Sequence, residues 1–121
     1  MVTSPKWILG VVVLSWLGFF IHNLADLPGQ TILSPESLYP TLLYVLLLTA
    51  WFTPVRRAAE WALLGWVLLN LVGGAIVSVL PLPFLPFDPD QTLYHYTFHV
   101  IYGVLQLPAL FVLRRQLRSR T

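Results

Sequence analysis

The sequence predicts an all-α polytopic membrane protein, a four-helix up-down transmembrane bundle that forms a single domain over residues 1–121. The first observation behind this prediction is composition: 57% of the residues are hydrophobic and 10% are charged, whereas soluble domains carry about 25% charged residues. So few charges cannot cover a globular surface in water, but a bilayer accommodates an apolar exterior. The second observation is that the chain divides into four apolar runs of roughly 17–24 residues, each long enough to cross a hydrocarbon core of about 30 Å.

The first two predicted helices cover about residues 7–26 and 35–53, with a turn around Pro28 between them. We interpret the first as a retained helix because its apolar run is long for a cleaved signal peptide. The second has a typical helix start, with Ser34 as the N-cap, Pro35 in the first position and Glu36 in the first turn. Pro54 follows its end, because the residue before a proline is disfavoured in a helix.

The third and fourth predicted helices cover about residues 58–80 and 89–115. The third contains Gly73, Gly74 and Ala75, small residues that allow close helix approach in lipid. Three prolines in residues 81–87 then favour an extended segment. Asp88 could cap the fourth helix, with Pro89 in its first position.

The distribution of charge predicts the orientation. If all four runs cross the membrane, the seven cations fall on one side: Lys6, Arg56, Arg57, Arg114, Arg115, Arg118 and Arg120. Four of the five acids fall on the other side: Asp26, Glu36, Asp88 and Asp90. The positive-inside rule then predicts a multi-pass protein of a bacterial-type plasma membrane with both termini in the cytoplasm.

The fourth run carries a polar stripe. His95, His99, Tyr102 and Gln106 follow one another at steps of four, three and four, which places them on one helix face. Such a stripe must face protein rather than lipid. Counting about 1.5 Å per residue from the cations places all three histidines at the outer end of the bundle. An up-down bundle also brings the first helix beside the fourth, so we expect His22 to lie near His95 and His99.

Similar counting puts Asn70 of the third helix at mid-membrane, level with Tyr102 and one turn from Gln106. We therefore predict that Asn70 hydrogen-bonds to one of these two residues, since an unpaired amide in hydrocarbon is costly. The candidate ligand-binding set is His22, Asp26, Asn70, His95, His99, Tyr102 and Gln106.

The first functional hypothesis is non-enzymatic. The polar residues would hydrogen-bond within the bundle and line an outer pocket for a lipophilic small molecule, or the protein would be a subunit of a membrane assembly. Its expected partners are the lipid bilayer, such a molecule, and another membrane protein or a second copy. Nucleic acid is excluded, although the net charge is +2, because the basic residues flank apolar runs. No serine has a convincing base beside it, which argues against nucleophilic catalysis.

The alternative hypothesis is a metal or haem centre. His22, His95 and His99 could together bind a divalent metal, with Asp26 or Tyr102 as an outer acceptor that fixes a tautomer. His22 and His99 could instead hold haem b from both faces, with Gly18 or Gly103 leaving room for the porphyrin. The chain has no cysteine, which excludes thiolate sites. A third hypothesis is pH sensing by the clustered histidines.

Overall fold

The computed structural model describes residues 4–119, and within that range the chain is helical without strands. The α-helices are α1 (Pro5–Asp26), α2 (Pro35–Trp51), α3 (Arg56–Leu69) and α4 (Leu93–Arg118). A π-helical segment, Asn70–Ile76, and a 3₁₀ turn, Val77–Val79, continue α3. The predicted all-α class is therefore confirmed.

Three helical segments are long and apolar enough to cross a membrane: Pro5–Asp26, Arg56–Val79 and Leu93–Arg118. The chain thus has the composition and helix lengths of a small membrane protein. The remaining helix, α2, has 17 residues and would extend about 25 Å at the usual rise. That is slightly shorter than a hydrocarbon core of about 30 Å, so a fourth crossing stays a prediction.

The start of α4 differs from the prediction. The helix begins at Leu93, and its N-cap is Thr92, whose hydroxyl accepts a hydrogen bond from the His95 amide at 3.1 Å. The prediction that Asp88 and Pro89 start this helix is therefore wrong. Residues 88–91 lie outside the helix, and the Asp90 carbonyl among them accepts from His95 Nδ1 at 2.7 Å.

The third helix also differs from a regular helix over residues 58–80. It begins at Arg56 and changes to π-helical geometry at Asn70. The change coincides with Gly73 and Gly74, which lack the side chains that favour regular α geometry. Ser78 Oγ also donates to the Gly74 carbonyl. Single π-helical turns inside α-helices are frequent at functional sites.

Helix α4 packs mainly on α1, and also on α3 and its π-helical extension, while α2 packs on α1 and α3. Residue pairs across α1 and α4 run in opposite order, with Ser15 beside Gln106 and His22 beside His99. Close approach requires Gly18, where a Cβ would lie 2.9 Å from Leu105 Cβ. The fully buried apolar core lies towards the end with the arginines: Ile8, Trp51, Leu63, Val67, Ala109 and Leu113.

Candidate metal centre

Four side chains that commonly bind metals converge where α1 ends and α4 begins. They are His22, Asp26, His95 and His99, and we call them the His/Asp cluster. One ligand atom from each lies within 4.8 Å of the others. The predicted approach of His22 to His95 and His99 is therefore confirmed.

Two repeated spacings build the His/Asp cluster. His22 and Asp26 lie four residues apart on α1, and His95 and His99 lie four apart on α4. Residues at this spacing occupy the same helix face in successive turns. Because α1 and α4 are antiparallel at this point, the last turn of one helix meets the first turns of the other.

Five of the six distances between the ligand atoms of the cluster are short. Asp26 Oδ2 lies 2.8 Å from His22 Nε2, 3.0 Å from His95 Nε2 and 3.4 Å from His99 Nε2. His99 Nε2 lies 3.0 Å from His22 Nε2 and 2.9 Å from His95 Nε2. Four ligands placed tetrahedrally around Zn²⁺ at its usual bond lengths lie about 3.3 Å apart. The five distances are close to this value, and the ligand nitrogens of His22 and His95 lie within 4.8 Å of each other.

The hydrogen-bond partners of the three Nδ1 atoms determine the tautomers of the histidines. His22 Nδ1 lies 3.1 Å from Asn23 Oδ1, and His99 Nδ1 lies 3.0 Å from the Ala75 carbonyl. His95 Nδ1 lies 2.7 Å from the Asp90 carbonyl. All three partner atoms are oxygen acceptors with this orientation of the Asn23 amide, so each Nδ1 carries the proton and donates. In the neutral imidazoles, every Nε2 therefore has no proton and carries a free lone pair.

The cluster consequently brings four electron-pair donors together. Asp26 Oδ2 is buried and accepts no hydrogen bond of standard geometry from the residues that the structure describes. The three Nε2 atoms surround it without a proton of their own. Such an arrangement is repulsive unless protons or a cation lie between the four atoms. Hydrogen bonds from metal-bound histidines to carbonyls and side-chain oxygens are also the usual outer shell of a metal site.

The haem hypothesis does not fit this geometry. A haem held from both faces needs its macrocycle between the two nitrogens, whereas His22 Nε2 and His99 Nε2 are 3.0 Å apart. The space beside the two glycines that were expected to leave room for a porphyrin is filled by neighbouring helices. A Cβ on Gly18 would lie 2.9 Å from Leu105 Cβ, and one on Gly103 would lie 3.4 Å from Ala75 Cβ. The structure thus favours a single ion over a haem.

The other predicted site residues form separate hydrogen-bonded pairs deeper in the bundle. Tyr102 donates its hydroxyl to Asn70 Oδ1, which confirms the predicted contact of Asn70 with the fourth helix. Gln106 accepts from Ser15 Oγ and donates to the Ser15 carbonyl at 3.0 Å. Ser15 Oγ lies 2.8 Å from the Tyr44 hydroxyl. These polar groups are satisfied by each other, as expected for a bundle interior.

Sequence reasoning named all four cluster residues but gave some of them different roles. Asp26 was expected to be an outer acceptor, yet its carboxylate lies among the three Nε2 atoms. Tyr102 contacts the His22 ring at a centroid distance of 5.0 Å and donates to Asn70. The repeated four-residue spacing could have revealed Asp26 as the fourth member. No sequence pattern could have identified the carbonyls of Ala75 and Asp90 as histidine partners, because every residue type has a backbone carbonyl.

Comparisons with protein-family models, with curated proteins and with solved structures gave no match. The function of this chain is therefore inferred from the residues of the His/Asp cluster and their surroundings.

Proposed function

We propose that this chain is a multi-pass membrane protein that binds one divalent transition-metal ion through Nε2 of His22, His95 and His99 and through Asp26 Oδ2. The observation that carries the proposal is the commitment of all three Nδ1 atoms to oxygen acceptors, which leaves three nitrogen lone pairs facing a buried carboxylate oxygen. A cation at their centre removes the repulsion. It also gives the Asp26 oxygen the partner that it needs.

The donor set selects the class of metal. Imidazole nitrogen suits Zn²⁺, Cu²⁺, Ni²⁺ and Fe²⁺, whereas Mg²⁺ and Ca²⁺ prefer sites made entirely of oxygen. Zn²⁺ is the first candidate, since three imidazoles and one carboxylate can complete a tetrahedral shell. With all four ligands bound the shell is closed, which favours a binding or structural role over catalysis.

The proposed framework is a four-helix up-down bundle that crosses the membrane four times, with both termini in the cytoplasm and the cluster at the outer face. The one-sided distribution of cations supports this orientation. The side chains of His22, Asp26 and His95 retain 16%, 10% and 14% exposure, so an ion can reach the cluster from that face. Fully buried apolar residues such as Val67, Ala109 and Leu113 close the bundle below it.

A polar pocket for a lipophilic molecule is less well supported. Asn70, Tyr102 and Gln106 would be its deeper polar walls, but these side chains bond to partners on neighbouring helices. A ligand that binds these polar groups would have to displace those bonds. The metal proposal requires no such rearrangement, because the His/Asp cluster already presents unshared lone pairs.

The direct test is metal content after purification in detergent without chelators, followed by reconstitution of the metal-free protein with Co²⁺. We expect about one metal ion per chain and, with Co²⁺, the intense visible absorption of a tetrahedral site. His99→Ala should abolish both, and Asp26→Asn should weaken binding. Asp88→Asn is the matched control, because it removes a carboxylate of the same predicted outer surface outside the cluster.

The opposite result is equally clear. A wild-type protein that binds neither Zn²⁺ nor Co²⁺ at micromolar concentrations, although it is folded and monodisperse, would refute the metal proposal. Protons would then be the cations that the cluster holds, and the pH-sensing hypothesis would replace it. A spectrum that is unchanged in His99→Ala would show that Co²⁺ binds elsewhere on the chain.

A further inference from the structure

The end of α4 opposite the His/Asp cluster carries a basic cleft. It has a volume of about 480 Å³ and is lined by Phe111, Arg114, Arg115, Arg118 and Ser119, which we call the arginine cleft. The spacings of three, four, seven and eight residues from Phe111 place all five on one helix face. The buried residues Leu113, Gln116 and Leu117 face the bundle instead. The arginine cleft therefore points away from the core.

The described residues that line the arginine cleft are three arginines, one serine and one phenylalanine. Arg114 and Arg115 are exposed, and they lie near the C-terminal end of α4, where the helix dipole favours cations. The arginine cleft therefore presents positive charge that is complementary to an anion.

We propose that the arginine cleft binds the phosphate group of an anionic phospholipid. Guanidinium groups bind phosphate oxygens with paired hydrogen bonds, and basic groups beside a membrane helix attract anionic headgroups. A free phosphate ion offers the same charge. The lipid is favoured by Phe111, which is 67% exposed and lies one turn from Arg114 and Arg115 on the apolar side. An acyl chain can pack on this ring while its phosphate contacts the arginines.

The test uses the full chain in detergent and compares short-chain phosphatidylglycerol, short-chain phosphatidylcholine and inorganic phosphate as ligands. Binding is measured by native mass spectrometry and by the shift in thermal unfolding. We expect phosphatidylglycerol to bind roughly tenfold more tightly than phosphatidylcholine and to weaken as salt rises. Inorganic phosphate should compete only weakly, because it cannot use Phe111.

Variants locate the site. The triple variant R114Q, R115Q and R118Q should lose the preference for phosphatidylglycerol. Arg57→Gln, which removes an exposed arginine in the first turn of α3, should keep this preference. Single substitutions at Arg114 and Arg115 provide the same comparison if the triple variant does not fold. Equal binding of both lipids by the wild type, or equal loss in Arg57→Gln, would overturn the proposal. Saturation by inorganic phosphate alone at the same concentrations would also overturn it and assign the cleft to a free anion.

Discussion

His22 Nε2 and His99 Nε2 lie 3.0 Å apart across the interface of α1 and α4, although the residues are 77 positions apart in the chain. Each ring donates its Nδ1 proton to an oxygen on the other side. Two neutral imidazoles in this state cannot hydrogen-bond to each other through Nε2, because neither Nε2 carries a proton. The contact therefore depends on an added cation, either a proton or the proposed metal ion.

Metal binding should stabilise the fold. An ion that binds the folded state alone contributes about 2.7 kcal/mol when its free concentration is 100 times its dissociation constant. We expect Zn²⁺ to raise the thermal unfolding midpoint of the wild type and of Asp88→Asn, and to leave His99→Ala unchanged. Scanning fluorimetry with and without a chelator measures this. An equal rise in His99→Ala would show that Zn²⁺ acts outside the His/Asp cluster.

The hydrogen bond from His22 Nδ1 to Asn23 should also contribute to metal affinity. Asn23 Oδ1 accepts from His22 Nδ1 at 3.1 Å, while the Asn23 amide donates to the Glu36 carbonyl at 3.1 Å and to Ser37 Oγ at 3.0 Å. Removing such an outer partner typically costs about 10–100-fold in metal affinity. We expect Asn23→Ala to lose affinity for Co²⁺ within this range.

The control for Asn23→Ala is Ser37→Ala, which breaks one of the same inter-helix bonds but leaves the histidine acceptor in place. Titration of the metal-free proteins with Co²⁺ compares the two. If both variants lose affinity equally, the effect comes from loosening α1 against α2, and the tautomer of His22 is not the cause.

Metal binding should depend steeply on pH. Protons compete with the metal for the three Nε2 atoms, and free imidazole has a pKa of about 6.5. Acidification therefore favours the metal-free state, and alkalinisation favours the bound state. The groups that face the ion are His22 and Asp26 from α1 and His95 and His99 from α4.

Because more than one imidazole must lose a proton, the logarithm of the apparent association constant should rise with pH with a slope above one wherever these imidazoles are protonated in the metal-free protein. Co²⁺ titrations at a series of pH values measure this slope. A flat dependence would show that the histidines are not the ligands.

Helical periodicity accounts for the part of the site that the sequence could predict. The spacing of His99, Tyr102 and Gln106 places them on one face, and the structure leaves them 4%, 4% and 0% exposed. Matched depth along antiparallel helices then predicts that His22 meets His99. Both steps use only the rise and the repeat of an α-helix.

The remaining features depend on backbone atoms, which the sequence does not distinguish. Helix α4 starts at Leu93, and the carbonyl of Asp90, which precedes it, bonds to the His95 ring. The π-helical geometry begins at Asn70, and the carbonyl of Ala75 within it accepts from His99. Neither carbonyl could be selected by residue type, so the tautomers of the histidines could not be derived from the sequence.

Close packing of α1 on α4 should depend on Gly18. A Cβ there would lie 2.9 Å from Leu105 Cβ and 3.1 Å from the Tyr102 carbonyl oxygen, and the backbone atom cannot move independently of α4. We expect Gly18→Ala to destabilise the protein by about 1–3 kcal/mol, the usual cost of overpacking. Gly65→Ala is the control, since a Cβ at Gly65 meets nothing within 4 Å. Thermal unfolding that ranks both variants equally would show that α1 and α4 can separate freely at this point.

The predicted orientation of the chain in the membrane depends most on whether α2 crosses the bilayer. Reporter domains that are active only outside the cell should be active when fused at Gln30 or Asp90, and inactive at Arg57 or Thr121. The reason is that every cation lies on one side only if α2 crosses the membrane.

If the 17 residues of α2 do not cross, Lys6 falls on one side of the membrane and the other six cations fall together on the opposite side. The positive-inside rule would then place the segment between α1 and α3 in the cytoplasm. Equal activity at Gln30 and Arg57, whether both fusions are active or both are inactive, would reduce the crossings to three. Activity at Arg57 and Thr121 alone would instead keep four crossings and invert the bundle, which would place the His/Asp cluster on the cytoplasmic side.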